Sequence, residues 1–108
     1  MEKRKNKRIE YDAYAEVFDE YRDIMVSADV KNISPDGTAI LIDEPFDIGT
    51  DIRMELMKYR QDGLDPIVNN VSGKIVRLDR EGTRWLQAVL FNELDEDDED
   101  NLKNTIYS

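Results

Sequence analysis

Two groups of residues have the types and spacing to do chemistry. The first is Arg4-Lys5-Asn6-Lys7-Arg8, which sets two guanidinium groups four residues apart in a run of positive charge. A guanidinium is planar and always charged, and its fork of donors matches an anion bidentately. The second is Asn32-Ile33-Ser34-Pro35-Asp36-Gly37, which gathers an amide, a hydroxyl and a residue without Cβ. Pro presets φ, Asp bonds locally and Gly permits φ > 0, so this segment reads as a turn between strands. These groups suit binding rather than bond breaking. The chain has no Cys and no His, which excludes disulfides, the usual structural zinc sites, a Cys nucleophile and a His general base. Carboxylate, Lys or Tyr chemistry is left, but no acid-base or nucleophile constellation is visible. An enzyme is not expected, and neither is a metal or cofactor.

The elements that must position these residues are strands. The chain has 108 residues, the size of one compact domain with one core. From Ala13 to Phe18 it mixes aromatic and β-branched residues. Asp19-Glu20 reads as a turn. Ile24, Val26, Ala28 and Val30 then alternate with other residues, the period of a half-buried strand. Thr38 to Ile42 is a short apolar strand. Asp43-Glu44-Pro45 and Ile48-Gly49-Thr50-Asp51 are breakers, after which Ile52, Met54 and Leu56 alternate. Tyr59 to Pro66 reads as a loop. Strand residues resume from Val71 to Leu78, Asp79 to Gly82 makes a hairpin connection, and Thr83 to Phe91 is the last strand. Arg77, Arg80 and Arg84 are expected on the solvent side of that hairpin, and Trp85 is expected to pack on the barrel. Residues 96–106 read as a helix. Asp95 is a good N-cap, carboxylates in the first turn complement the helix dipole, and Leu102 and Ile106 form a narrow apolar stripe. The EF-hand spacing and its central Gly are absent, so the acidic run is not read as a calcium loop. About six short strands and one terminal helix predict an all-β fold, a six-stranded antiparallel barrel with a short C-terminal helix.

Charge divides the chain. Its net charge is −10, yet residues 1–8 carry five positive side chains and one negative, a net +4 that leaves −14 on residues 9–108. We therefore read residues 1–8 as a flexible basic arm and 9–108 as the barrel domain with its helix. An acidic body argues against a general nucleic-acid binder, and the arm suggests a local anion site. No stretch approaches the roughly 20 apolar residues of a membrane span. No apolar segment follows the first positive charges, so a secretory signal is not expected and the cytoplasm is the expected location. Without secretion, Asn32-Ile33-Ser34 has no support as a glycosylation acceptor.

Alone, the arm reads as a solvated tail and the turn as a self-satisfied loop. Together, in this order on this strand pattern, they resemble the PilZ domain family. Arg4 and Arg8 match its Arg-x-x-x-Arg arm, and Asn32, Ser34 and Gly37 match its (Asp/Asn)-x-Ser-x-x-Gly motif. Pro45 to Gly49, the strand after it, the two last long strands and the terminal helix follow the family pattern as well. The resemblance implies a bacterial receptor for the second messenger cyclic di-GMP, with Arg4, Arg8, Asn32, Ser34 and Gly37 as the ligand-binding residues. It also implies a relay to an effector protein and a role in motility, adhesion or exopolysaccharide output. Guanine offers N7 and O6 as adjacent acceptors that a guanidinium fork matches, and Arg stacks on a base. Asn32 has an amide for a guanine edge, Ser34 can serve the ligand or hold the turn, and Gly37 lets backbone come close. One departure is Ala88, where the family often has Gly, so that a methyl group there narrows the pocket. The competing readings are a PilZ-fold interaction module that binds no nucleotide, and an arm that contacts nucleic acid or anionic lipid. Neither a membrane nor a nucleic-acid partner is expected.

Overall fold

The computed structural model describes residues 13–59, 63 and 65–107. Six strands run in chain order: β1 (Ala13–Asp19), β2 (Ile24–Ser34), β3 (Gly37–Ile42), β4 (Asp51–Lys58), β5 (Ile67–Glu81) and β6 (Arg84–Phe91). A single helix, α1 (Glu96–Tyr107), follows them. The strands close into an antiparallel barrel in the order β1-β2-β3-β6-β5-β4, with β1 paired to β4 at the seam. Closure leaves no open edge among these strands. β2 begins at Ile24 as the sequence pattern suggested, whereas β5 runs beyond the expected Val71 to Leu78 at both ends and takes in Asp79 to Glu81 of the expected hairpin connection. Ile24 and Met25 are both exposed, so the alternation expected of β2 holds only from Val26 onward.

The interior follows the period of two. On β1, Ala15 and Val17 point inward; on β3, Thr38, Ile40 and Ile42; on β4, Ile52, Met54 and Leu56. Ile75 from β5 and Val89 and Phe91 from β6 complete the layer. At ~25 cal/mol per Å² of apolar surface, burial of such side chains stabilises the barrel by about 1.5–3 kcal/mol each. α1 closes the barrel with Leu102 and Ile106, both buried. Its start is capped as the sequence implied: the Asp98 amide donates to Asp95 Oδ1 at 2.8 Å. Its seat is polar, since Asn69 Nδ2 donates to Thr105 Oγ1 at 2.7 Å in a buried contact.

Gln87 is fully buried inside this apolar layer. Its Nε2 donates to the Phe46 carbonyl at 2.7 Å and its Oε1 accepts from the Phe46 amide at 3.0 Å. The side chain acts as a short piece of strand for the β3–β4 connection, and the buried Phe46 ring is held with it. Both polar ends of Gln87 are thus satisfied, as burial demands. In the β1–β2 hairpin, Asp19 Oδ1 accepts from the Tyr21 and Arg22 amides at 2.9 and 3.2 Å. Asp23 takes φ 52°, the left-handed conformation that a short polar residue tolerates.

Candidate ligand-binding site

The sequence motif Asn32 to Gly37 folds into a two-residue hairpin connection, with Pro35 and Asp36 between β2 and β3. Its polar groups are largely used internally. Ser34 Oγ donates to the Gly37 carbonyl and accepts from the Asp36 amide, both at 3.3 Å. Thr38 Oγ1 donates to the Asn32 carbonyl at 2.7 Å. Of the two roles expected for Ser34, holding the turn is therefore the one the structure shows. Gly37 is not among the residues of positive φ, so left-handed freedom is not its reason. A Cβ built there would collide with the Val89 carbonyl of β6. Close strand approach requires glycine at this position.

Two β-bulges set the rest of the site. In β2 the register shifts between Val30 and Asn32, and in β5 between Ile75 and Arg77. Val30 and Ile75 both face the core. Unbroken alternation would send Asn32 and Arg77 inward as well. The extra residues, Lys31 and Val76, turn both outward instead. Their partners then align in one row across four strands: Asn32 opposite Ala39, Ala39 opposite Ala88, and Ala88 opposite Arg77. Two small side chains thus lie between two long polar ones. Three strand spacings of roughly 4.8 Å separate the ends of the row.

This row crosses a surface cavity of about 480 Å3. Asn32, Ser34, Asp36 and Gly37 line one side, Arg77 and Asp79 the other, and Ala39, Ala88, Leu86 and Leu90 the floor. The Asn32 side-chain amide has no hydrogen bond to any described residue, so it is available to a ligand edge. The floor is apolar, with Val76 and Leu90 about half exposed. A flat ring can lie on such a floor while its polar edge meets Asn32. Three of the five site residues expected from sequence, Asn32, Ser34 and Gly37, are brought together here. Arg4 and Arg8 lie outside the described residues.

The arginines of the last hairpin have separate surroundings. Arg77 lines the cavity. The Arg80 guanidinium lies 4.7 Å from the centre of the Trp85 ring, and Trp85 itself packs half-buried against the core. Arg84 pairs with Asp29 at 2.6 Å and with Asp43 at 2.8 Å, and it donates to the Leu41 carbonyl at 3.2 Å. The hydrogen bond to Asp29, with that to Asp43 adding to it, raises its pKa from the ordinary arginine value. Arg84 is therefore a brace between β2, β6 and the end of β3, rather than a solvated side chain. The place of Arg77 at the cavity was not legible from sequence, because strand alternation carries no mark of a bulge.

Among the described residues no group of His, Cys, Asp or Glu is placed to hold a metal ion. No described helix is long and apolar enough to cross a membrane.

Residues 2–108 match the family described as PilZ domain, and the chain belongs to that family. PilZ domains are ligand-binding and adaptor modules. Two solved structures share the fold. The PilZ domain with c-di-GMP of YcgR from Escherichia coli superposes with a TM-score of 0.71 at 15% identity, over 98% of this chain and 90% of that one. The inhibitor of motility MotI/DgrA from Bacillus subtilis superposes with a TM-score of 0.68 at 14% identity, over 98% of this chain and 50% of that one. The chain thus spans half the length of MotI/DgrA. No curated protein matches the sequence.

Proposed function

We propose that this protein binds cyclic di-GMP on the face formed by β2, β3, β6 and β5, and relays the signal to a partner protein. The observation that carries the reading is the row Asn32–Ala39–Ala88–Arg77. It places the motif residues at the rim of an apolar floor wide enough for a planar base. Membership of the PilZ family and the solved YcgR domain with its c-di-GMP support the same ligand. In this reading Arg4 and Arg8 of the basic arm close over a ligand that rests above Asn32, Ser34 and Gly37. The arm's positive charge serves the two phosphates, and the guanidinium forks serve guanine N7 and O6. The protein works as a cytoplasmic signalling module without enzymatic activity. Its output is motility, adhesion or exopolysaccharide production through an effector.

Titration calorimetry with cyclic di-GMP tests this. A saturable heat is expected, and its stoichiometry reports whether one or two nucleotides bind. Arg8→Ala should lose about 1–3 kcal/mol of binding, the size of a bidentate contact to guanine. Folded protein that gives no heat at high micromolar ligand would falsify the proposal. A second reading, an interaction module that binds no nucleotide, draws on one observation: the Ser34 hydroxyl is already engaged by its own turn. That outcome is the one the null titration would establish.

A further inference from the structure

The wall of the cavity opposite Asn32 belongs to no part of the family motif. It consists of Arg77 and Asp79 on β5. The bulge between Ile75 and Arg77 is what brings Arg77 there. Bulges commonly re-aim a side chain beside a binding site. The bulge across the floor, between Val30 and Asn32, does the same for the motif amide. The two ends of one cross-strand row are thus delivered by the same device, and the two residues between them are alanines.

Arg77 is not locked. Its Nε lies 2.6 Å from Asp79 Oδ2 in an ion pair, with 73% of the arginine side chain and 44% of the aspartate side chain exposed. Such a pair contributes little to stability and separates readily. Asp79 stands at the Nε edge of the guanidinium, and the side chain is otherwise largely exposed. Arg84 is a useful contrast on the same hairpin. It is held by two carboxylates and a carbonyl, with only 32% of its side chain exposed.

We infer that Arg77 contacts a phosphate of the bound dinucleotide across the floor from Asn32, and that Asp79 is an internal competitor for the same guanidinium. The inference rests on the cyclic di-GMP reading and deepens it. In the free protein, Asp79 keeps Arg77 over the cavity. On binding, a phosphate oxygen takes over the charge-assisted contact. Asp79 thereby sets the affinity, because each binding event must draw Arg77 away from it.

The test is titration calorimetry with cyclic di-GMP on the whole chain, with thermal melting as the control for folding. Arg77 is exposed, so its replacement leaves the core intact. Arg77→Ala should weaken binding by about tenfold, the size of one charge-assisted contact. Arg77→Lys should recover much of that loss, since a phosphate accepts a point charge. Asp79→Asn should tighten binding several-fold, and that gain should vanish when Arg77 is already Ala. Arg77→Ala binding within twofold of the parent would overturn the inference while leaving the receptor reading standing. Arg77→Lys as weak as Ala would overturn the phosphate assignment. A gain from Asp79→Asn that persists without Arg77 would show general repulsion of the ligand and overturn the competitor role. Absence of binding by the folded parent chain would instead sink the receptor reading itself.

Discussion

Gly37 shows how one residue can serve the fold beneath a ligand motif. Its missing Cβ is what lets β3 approach β6, since the added carbon would run into the Val89 carbonyl. That carbonyl is backbone and cannot swing aside. Gly37→Ala is therefore expected to destabilise the barrel by about 1–3 kcal/mol, the usual cost of forcing extra volume into a packed site. A urea denaturation midpoint measures it, and an unchanged midpoint would contradict the close approach. Ala88 belongs to the same small patch. It lies in the middle of the floor between Ala39 and Arg77, so under the proposed function its methyl group would meet a ligand face. This is where the narrowing expected from sequence would act. Asn32, Ser34 and Gly37 were legible as a unit because their spacing is local, within one turn.

Among the elements, the two bulged strands and the helix carry the most consequence. The bulges convert an inward position into an outward one on β2 and again on β5. The helix start and the β1–β2 hairpin carry carboxylates with opposite electrostatics. The Asp95 carboxylate, with burial and Asp97 adding to it, pushes the Asp98 pKa up. The Arg22 guanidinium, with the Tyr21 amide adding to it, holds the Asp19 pKa down. The raised acid opposes folding above its folded pKa and ceases to do so as pH falls through that value. The lowered acid favours folding above its unfolded pKa, and that contribution disappears as pH falls through its folded value. Acidification from neutrality should therefore relieve the helix start before it weakens the hairpin. Carboxyl NMR titration checks the order: Asp98 should protonate above the ordinary aspartate range and Asp19 below it. The reverse order would contradict the two local geometries.

At the scale of the molecule, closure and charge act together. Every strand of the barrel has two neighbours, so the fold depends on pairing between distant segments such as β1 with β4. The chain carries a net charge of −10, and self-repulsion of that size opposes compaction. Salt screens charges separated by more than a Debye length, about 10 Å at 0.1 M. Thermal stability of the free protein is thus expected to rise between low salt and a few hundred millimolar sodium chloride. Calorimetric melting at several salt concentrations measures this, and a falling midpoint would mean that attractive ion pairs such as Arg84 with Asp29 and Asp43 dominate. Under the proposed function, binding of cyclic di-GMP should respond the other way, because a basic arm and a dianionic ligand would attract through the same screened field.

The strand periods, the turn at Asn32 to Gly37, the helix cap at Asp95 and the apolar pair Leu102 and Ile106 were all legible in the sequence. Each depends on neighbours within a few positions, where backbone geometry and side-chain type suffice. The family resemblance was legible for the same reason, because its motif residues stand at short fixed spacings. Only the tertiary structure decided which distant residues share a face. Arg77 was read on the solvent side of the hairpin and is exposed there, but its place at the cavity comes from a single inserted residue in β5. Gln87 was read as part of a strand, yet it pairs with the Phe46 backbone 41 positions away. The physical reason is register. In a barrel, one residue of slip changes which side of the sheet a side chain occupies. That slip is fixed by pairing with other strands, on which the local sequence is silent.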